Sequence, residues 1–149
     1  MTLESSDTWH QENEKAIRQV VGRLQSGYDN KSGEVFASAF APVHDYVVIN
    51  GMLVPGMTRE ANAQVHQELF SGTRMGSLGD NLRDLNVQCE VRNIRFLTPE
   101  IAVVHIATII DGHAGTMVSA VMQKQEDEWL IATYHNAPVM QGPPGGPPP

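Results

Sequence analysis

The chain is poor in cysteine, in cationic side chains and in long apolar runs, and each shortage removes a class of protein. Its one cysteine, Cys89, has no partner for an internal disulfide, so neither a disulfide scaffold nor a redox pair is available. It lies in an apparent strand and reads as a small buried hydrophobe. Ten Lys and Arg stand against seventeen Asp and Glu, a net charge of −7. Affinity for phosphates comes from clustered cations, so neither nucleic acid nor an anionic membrane surface is expected as a partner. No apolar segment approaches the ~20 residues that cross a bilayer. The opening "MTLESSDTWHQENEK" is acidic, with no basic region before an apolar one, so no signal peptide is expected and a cytoplasmic location is. A glycine-rich dinucleotide fingerprint and a flavin motif are also missing, which argues against oxidoreductase chemistry; no cofactor is expected.

What is present reads as one globular domain. At 149 residues and 41% hydrophobic content, the chain can bury roughly two-thirds of its extended surface. The closing "PPGGPPP" has no packing side chains and few backbone donors. Residues 1–7 are therefore expected to fray, residues 8–139 to fold, and residues 140–149 to form a disordered tail. Ile17, Val20, Val21, Leu24 and Tyr28 make one apolar stripe at helical spacing. They predict a helix over 8–26, opened by a capping box from Thr8 to Gln11 and closed at "GYDN". A short helix over 32–40 follows, and a third runs from Thr58, a good N-cap, to Phe70. The third helix carries Asn62, Val65, His66, Leu69 and Phe70 on one stripe.

After Gly79 the period changes to two. Leu85, Val87, Cys89 and Val91 alternate with polar residues, and then Ile94 and Phe96 continue on the opposite parity, which predicts a bulge near Arg92 or Asn93. Three further strands, "EIAVVHIATII", "GTMVSAVMQKQ" and "EWLIATYHN", are joined by the short links Asp111-Gly112 and Glu126-Asp127 as antiparallel neighbours. An earlier hairpin of "DYVVIN" and "MLVPG" turns at Asn50-Gly51. Helix, helix, hairpin, helix and four strands make an α+β fold. We expect about six strands in a curved antiparallel sheet forming a cone, three helices over its concave face, and a ligand pocket at its open end.

Four segments carry a family likeness: "FASAFAPVHDYVVINGMLVPG" (36–56), "NAQVHQELF" (62–70), "IRFLTPEIAVVH" (94–105) and "EWLIATYHNAPV" (128–139). Together they resemble the SgcJ/EcaC-type, SnoaL-like proteins of the nuclear-transport-factor-2-like superfamily. The resemblance implies the cone-shaped fold and a bacterial protein of enediyne antibiotic biosynthesis, acting on a hydrophobic polyene or polyketide intermediate beside a polyketide synthase. It equally admits a non-catalytic carrier, an accessory protein or a dimerisation module, because the superfamily includes such members. It also implies a homodimer packed face to face through the apolar strands 101–110 and 115–122. Where relatives carry an acid before the first strand, this chain has Val43, followed by His44 and Asp45. That role passes to one of those two or is absent.

Each polar candidate has a structural and a functional reading. His66, on the apolar stripe of its helix, is either a buried histidine satisfied by a backbone carbonyl or a proton carrier. Asp45 is a solvated hairpin residue or, if it points into an apolar cone, a general base of raised pKa working with Tyr28, Tyr46 or Tyr134 as oxyanion donor. His105, Ser119 and His135 interrupt apolar strands on neighbouring positions, as pocket linings do. Ser119 lacks the sharp turn that exposes a nucleophile, so a hydrolase is not expected. Phe36, Phe70 and Trp129 are candidate apolar walls, and Asn136 is a candidate carbonyl or enolate donor. Strict alternation groups His135 with Trp129 and Thr133, and Asn136 with Tyr134 and Leu130, so only one of the pair can face the interior. The six histidines are scattered, with no i, i+4 helical pair, and no metal site is expected. Seven methionines fit an adaptable apolar surface.

Overall fold

The computed structural model describes residues 3–140 apart from residue 78, so the Pro/Gly tail over 141–149 lies outside the described residues. Its elements run α1 (Leu3–Asn30), α2 (Gly33–Ala37), β1 (Phe40–Val47), β2 (Leu53–Thr58), α3 (Arg59–Ser71), a 3-10 turn (Leu82–Asp84), β3 (Val87–Thr98), β4 (Ile101–Ile110), β5 (His113–Gln125) and β6 (Glu128–Pro138). This is the expected order: two helices, a hairpin, a helix, then four strands. No described helix is long and apolar enough to cross a membrane.

Helix α1 buries the predicted stripe: Ile17, Val20, Val21 and Leu24 are at most 4% exposed. The helix begins at Leu3, so Thr8 lies inside it and opens no capping box. Ser32 caps α2, its hydroxyl accepting the Val35 N–H at 3.2 Å. Thr58 caps α3 in the same way, accepting the Ala61 N–H at 3.1 Å, and Gly72 ends that helix in the left-handed region at φ 79°. Helices α2 and α3 meet backbone to backbone at Gly33, where a Cβ would sit 2.0 Å from the Ala63 carbonyl oxygen.

The strands form one sheet in the order β2-β1-β6-β5-β4-β3. All pairs are antiparallel except β1 with β6, which is parallel. That one parallel pair departs from the all-antiparallel sheet expected. The predicted bulge in β3 is present, as a register shift between Val91 and Asn93. A second shift falls on β6. Val121 pairs Thr133 while Met122 pairs Ile131, leaving Ala132 as the extra residue.

The core lies between the helices and the inner face of the sheet. Ala102, Val104 and Ile106 of β4 and Val118, Ala120 and Met122 of β5 are at most 1% exposed. The alternate residues Val103, His105, Ser119 and Val121 point to the outer face and keep contact with solvent. Trp129 ties α1 to the sheet at one end, its indole N–H donating to Asn13 Oδ1 at 2.9 Å.

Candidate functional site

At the other end, side chains from five elements converge on the inner face. Strand alternation turns His44 and Tyr46 of β1 inward, both at most 8% exposed. The parallel register sets Tyr46 beside Tyr134 of β6, their rings stacked 4.9 Å apart. Helix α3 brings Asn62, His66 and Phe70, one turn apart from each other. Phe36 of α2 stacks on the His66 ring at 4.0 Å. Tyr28 closes the group from α1, 5.3 Å from Phe36 and 5.6 Å from Phe70. Phe40 lies beneath, 4.6 Å from His44 and 5.3 Å from Tyr134. The result is a buried aromatic enclosure with a few polar atoms set among the rings.

Those polar atoms have defined protonation. His66 donates its Nδ1–H to the Asn62 carbonyl at 3.1 Å, which leaves Nε2 an acceptor with no hydrogen-bond partner among the described residues. Burial lowers its pKa to about 4, with a smaller push from His44, so the ring is neutral at pH 7. Burial also lowers the pKa of His44, against the pull of the Ala41 carbonyl that accepts its Nδ1–H at 2.9 Å; Arg59 lowers it further. The Nε2 of His44 then accepts the side-chain N–H of Asn62 at 2.9 Å. The phenols of Tyr28, Tyr46 and Tyr134 are pushed well above their ordinary pKa by burial and stay protonated donors. The amide oxygens of Asn62 and Asn136 are buried without a hydrogen-bond partner among the described residues. Chemically, the enclosure offers phenolic donors to a carbonyl and neutral acceptors to a hydroxyl.

The fold therefore brings together Tyr28, Phe36, Tyr46, His66, Phe70 and Tyr134, with Asn136 two residues further along the same face. It does not bring the remaining candidates there. Asp45 points outward between His44 and Tyr46, exposed, and its Oδ1 accepts the Gly56 N–H at 2.9 Å. It is a hairpin tie on the far side of the sheet from the tyrosines. His105, Ser119 and His135 do line up across β4, β5 and β6 as register partners. Their row lies on the outer face, where Asn93 Nδ2 donates to His105 Nδ1 at 3.2 Å, so it lines no space shared with the helices. Trp129 is on the inner face but belongs to a separate aromatic group with Phe96, which packs on Trp9.

The grouping of His135 with Trp129 is corrected for a physical reason. The extra residue at Ala132 reverses parity within β6, so Trp129, Ile131 and Tyr134 all face the core, Asn136 follows them, and His135 is exposed. Two residues of the enclosure carried little signal as site residues. Phe40 read as an end-of-helix apolar residue, and Asn62 as a stripe position next to His66. A polar amide on an apolar helical stripe, one turn before a histidine, is the signal that could have marked Asn62. A surface groove of about 430 Å³ along α1, lined by Gln11, Glu14, Lys15, Arg18 and Gln19, involves none of these residues.

Solved structures resemble this chain in fold. A cystatin-like-fold protein of unknown function from Nostoc punctiforme superposes with a TM-score of 0.72 at 21% identity, covering 86% of this chain and 78% of its own. A nuclear-transport-factor-2-like protein of unknown function from Shewanella baltica matches with a TM-score of 0.60 at 13% identity, over 84% of this chain and 92% of its own. A protein from Novosphingobium aromaticivorans provisionally named a scytalone dehydratase matches with a TM-score of 0.69 at 13% identity, over 90% and 89%. No family model matches the chain, and no curated protein does. The six-stranded curved sheet with its three helices has the nuclear-transport-factor-2-like, cystatin-like fold.

Proposed function

We propose that the protein is a small pocket protein that binds a hydrophobic polyene or polyketide-type intermediate in the aromatic enclosure around His66. The observation that carries this reading is the arrangement there: His66 gives its Nδ1–H to the Asn62 carbonyl, which turns Nε2 into an acceptor, with the Tyr46 ring 5.9 Å away. A β-hydroxy ketone or an enol has the matching groups, an acceptor oxygen for a phenol and a donor for His66. Acid/base isomerisation, dehydration or cyclisation would use the same pair, with His66 Nε2 taking a proton and a tyrosine polarising the carbonyl. A role in enediyne-type biosynthesis beside a polyketide synthase rests on the sequence resemblance of segments 36–56, 62–70, 94–105 and 128–139 alone. The scytalone dehydratase name carried by one structural neighbour fits elimination of water from such a substrate.

A homodimer through the outer face of the sheet belongs to the same reading. Half-buried Val103 and Val121 and exposed Met117 flank the His105–Ser119–His135 row there, an apolar strip that a second sheet would cover.

The test is binding of a conjugated tetraene fatty acid, followed by its own fluorescence, to wild type and to His66→Ala and Tyr46→Phe. Saturable binding that weakens in His66→Ala supports the pocket; no binding by wild type sinks it. Turnover of a β-hydroxy thioester that survives in His66→Ala would remove the acid/base role and leave a carrier.

A further inference from the structure

A buried amide oxygen without a hydrogen bond loses its water partners and gains nothing in return, so each one in a folded protein calls for a cause. Asn62 is fully buried, yet its Oδ1 has no partner among the described residues. The usual remedy, turning the amide by 180°, is blocked. His44 gives its Nδ1–H to Ala41, so its Nε2 is an acceptor and Asn62 has to present N–H to it. A turned amide would set oxygen lone pairs against the imidazole lone pair. His44 thus fixes Asn62 Oδ1 as an acceptor without a donor.

A second such oxygen belongs to Asn136. His44 precedes Tyr46 by two residues on β1, and Asn136 follows Tyr134 by two residues on the parallel strand β6. Because Tyr46 and Tyr134 are partners, His44 and Asn136 flank the tyrosine pair on opposite sides, each about 7 Å along its own strand. Asn62 comes from α3 and joins this row through its amide N–H on His44.

We propose that the site selects its ligand by a hydroxyl or N–H donated to Asn62 Oδ1, with His44 as the positioning residue that decides which end of the amide meets the ligand. The class of ligand is a flat, unsaturated or aromatic skeleton bearing a phenol, enol or alcohol. Its apolar body matches the aromatic side chains around Asn62, and a second hydroxyl at the far end would reach Asn136. This inference rests on the pocket reading above and adds the polarity of the group recognised.

Two probes differing only in the donor test it: 2-naphthol and 2-methoxynaphthalene, titrated against the full chain by naphthyl fluorescence. The naphthol should bind about tenfold more tightly, the scale of one net hydrogen bond. In Asn62→Leu, of similar volume without the amide, the preference should vanish. In His44→Phe, where the amide is free to turn, it should shrink. Nitrogen-15-labelled wild type gives the answer without a variant, because the Asn62 side-chain amide resonances should move with the naphthol and stay with the ether. Equal affinity of the two probes overturns the inference while leaving the pocket standing. Failure of both to bind at millimolar concentration overturns the pocket and this inference with it.

Discussion

His66 shows how a single residue couples this fold to pH. Its folded pKa, about 4, lies below the ordinary 6.5, so on acidification the unfolded chain takes up a proton that the folded one refuses. Stability is complete above pH 6.5 and is lost progressively as the pH falls toward 4, by roughly 3 kcal/mol from this residue. His44 shifts in the same direction and adds to the loss. Urea unfolding midpoints should fall between pH 7 and pH 4, and His66→Phe, which keeps a ring against Phe36, should flatten much of that slope. An unchanged slope would mean that the imidazole is hydrated. The tyrosines shift the other way. The protein's three tyrosines, Tyr28, Tyr46 and Tyr134, all raised by burial, should give no tyrosinate absorbance until alkaline unfolding begins. A phenol that titrates near its ordinary 10 in the folded protein would show the enclosure open to water. At this scale the inward direction of His66 and Phe70 was legible, since both sit on the apolar stripe of one helix. Asp45 was not, because a residue between two inward-facing ones has its direction set by the pairing of its strand.

Among the elements, α3 places Asn62, His66 and Phe70 in the aromatic group, and its cap is exposed and separable from them. Thr58→Ala removes the bond to the Ala61 N–H and should cost about 1 kcal/mol in chemical denaturation. The fold should survive it. Gly33→Ala is a harsher change, since its Cβ would strike the Ala63 carbonyl and force α2 from α3, moving Phe36 off His66. We expect a loss of about 1–3 kcal/mol by urea titration, with weaker ligand binding. The two bulges explain how far elements can be read. In β3 the apolar residues visibly change parity, so the bulge at Val91–Asn93 was legible. In β6 Trp129, Leu130 and Ile131 are all buried, so an apolar run hides the parity change at Ala132. Which of His135 and Asn136 faces inward depended on that one extra residue.

For the whole molecule, the outer face of the sheet remains the surface to probe. If it joins two copies, light scattering should give twice the 16.3 kDa of the chain. Met117→Glu, placing a charge in the middle of the strip, should then give monomers with an unchanged circular dichroism spectrum. A wild-type monomer at high micromolar concentration would argue against the dimer.

The sequence by itself determined the α+β class, the element order and the N-cap of the third helix at Thr58. These follow from local signals: apolar period, turn residues and side chains that bond their own backbone. The membership of the aromatic enclosure was decided only in the tertiary structure. There the parallel pairing of β1 with β6 sets Tyr46 on Tyr134, and the approach of α2 to α3 sets Phe36 on His66. Both are contacts between residues far apart in the chain, and no local periodicity encodes them. The orphaned oxygen of Asn62 is the clearest case. Its lack of a partner follows from where His44 places a lone pair, eighteen residues away along the chain and 2.9 Å away in space.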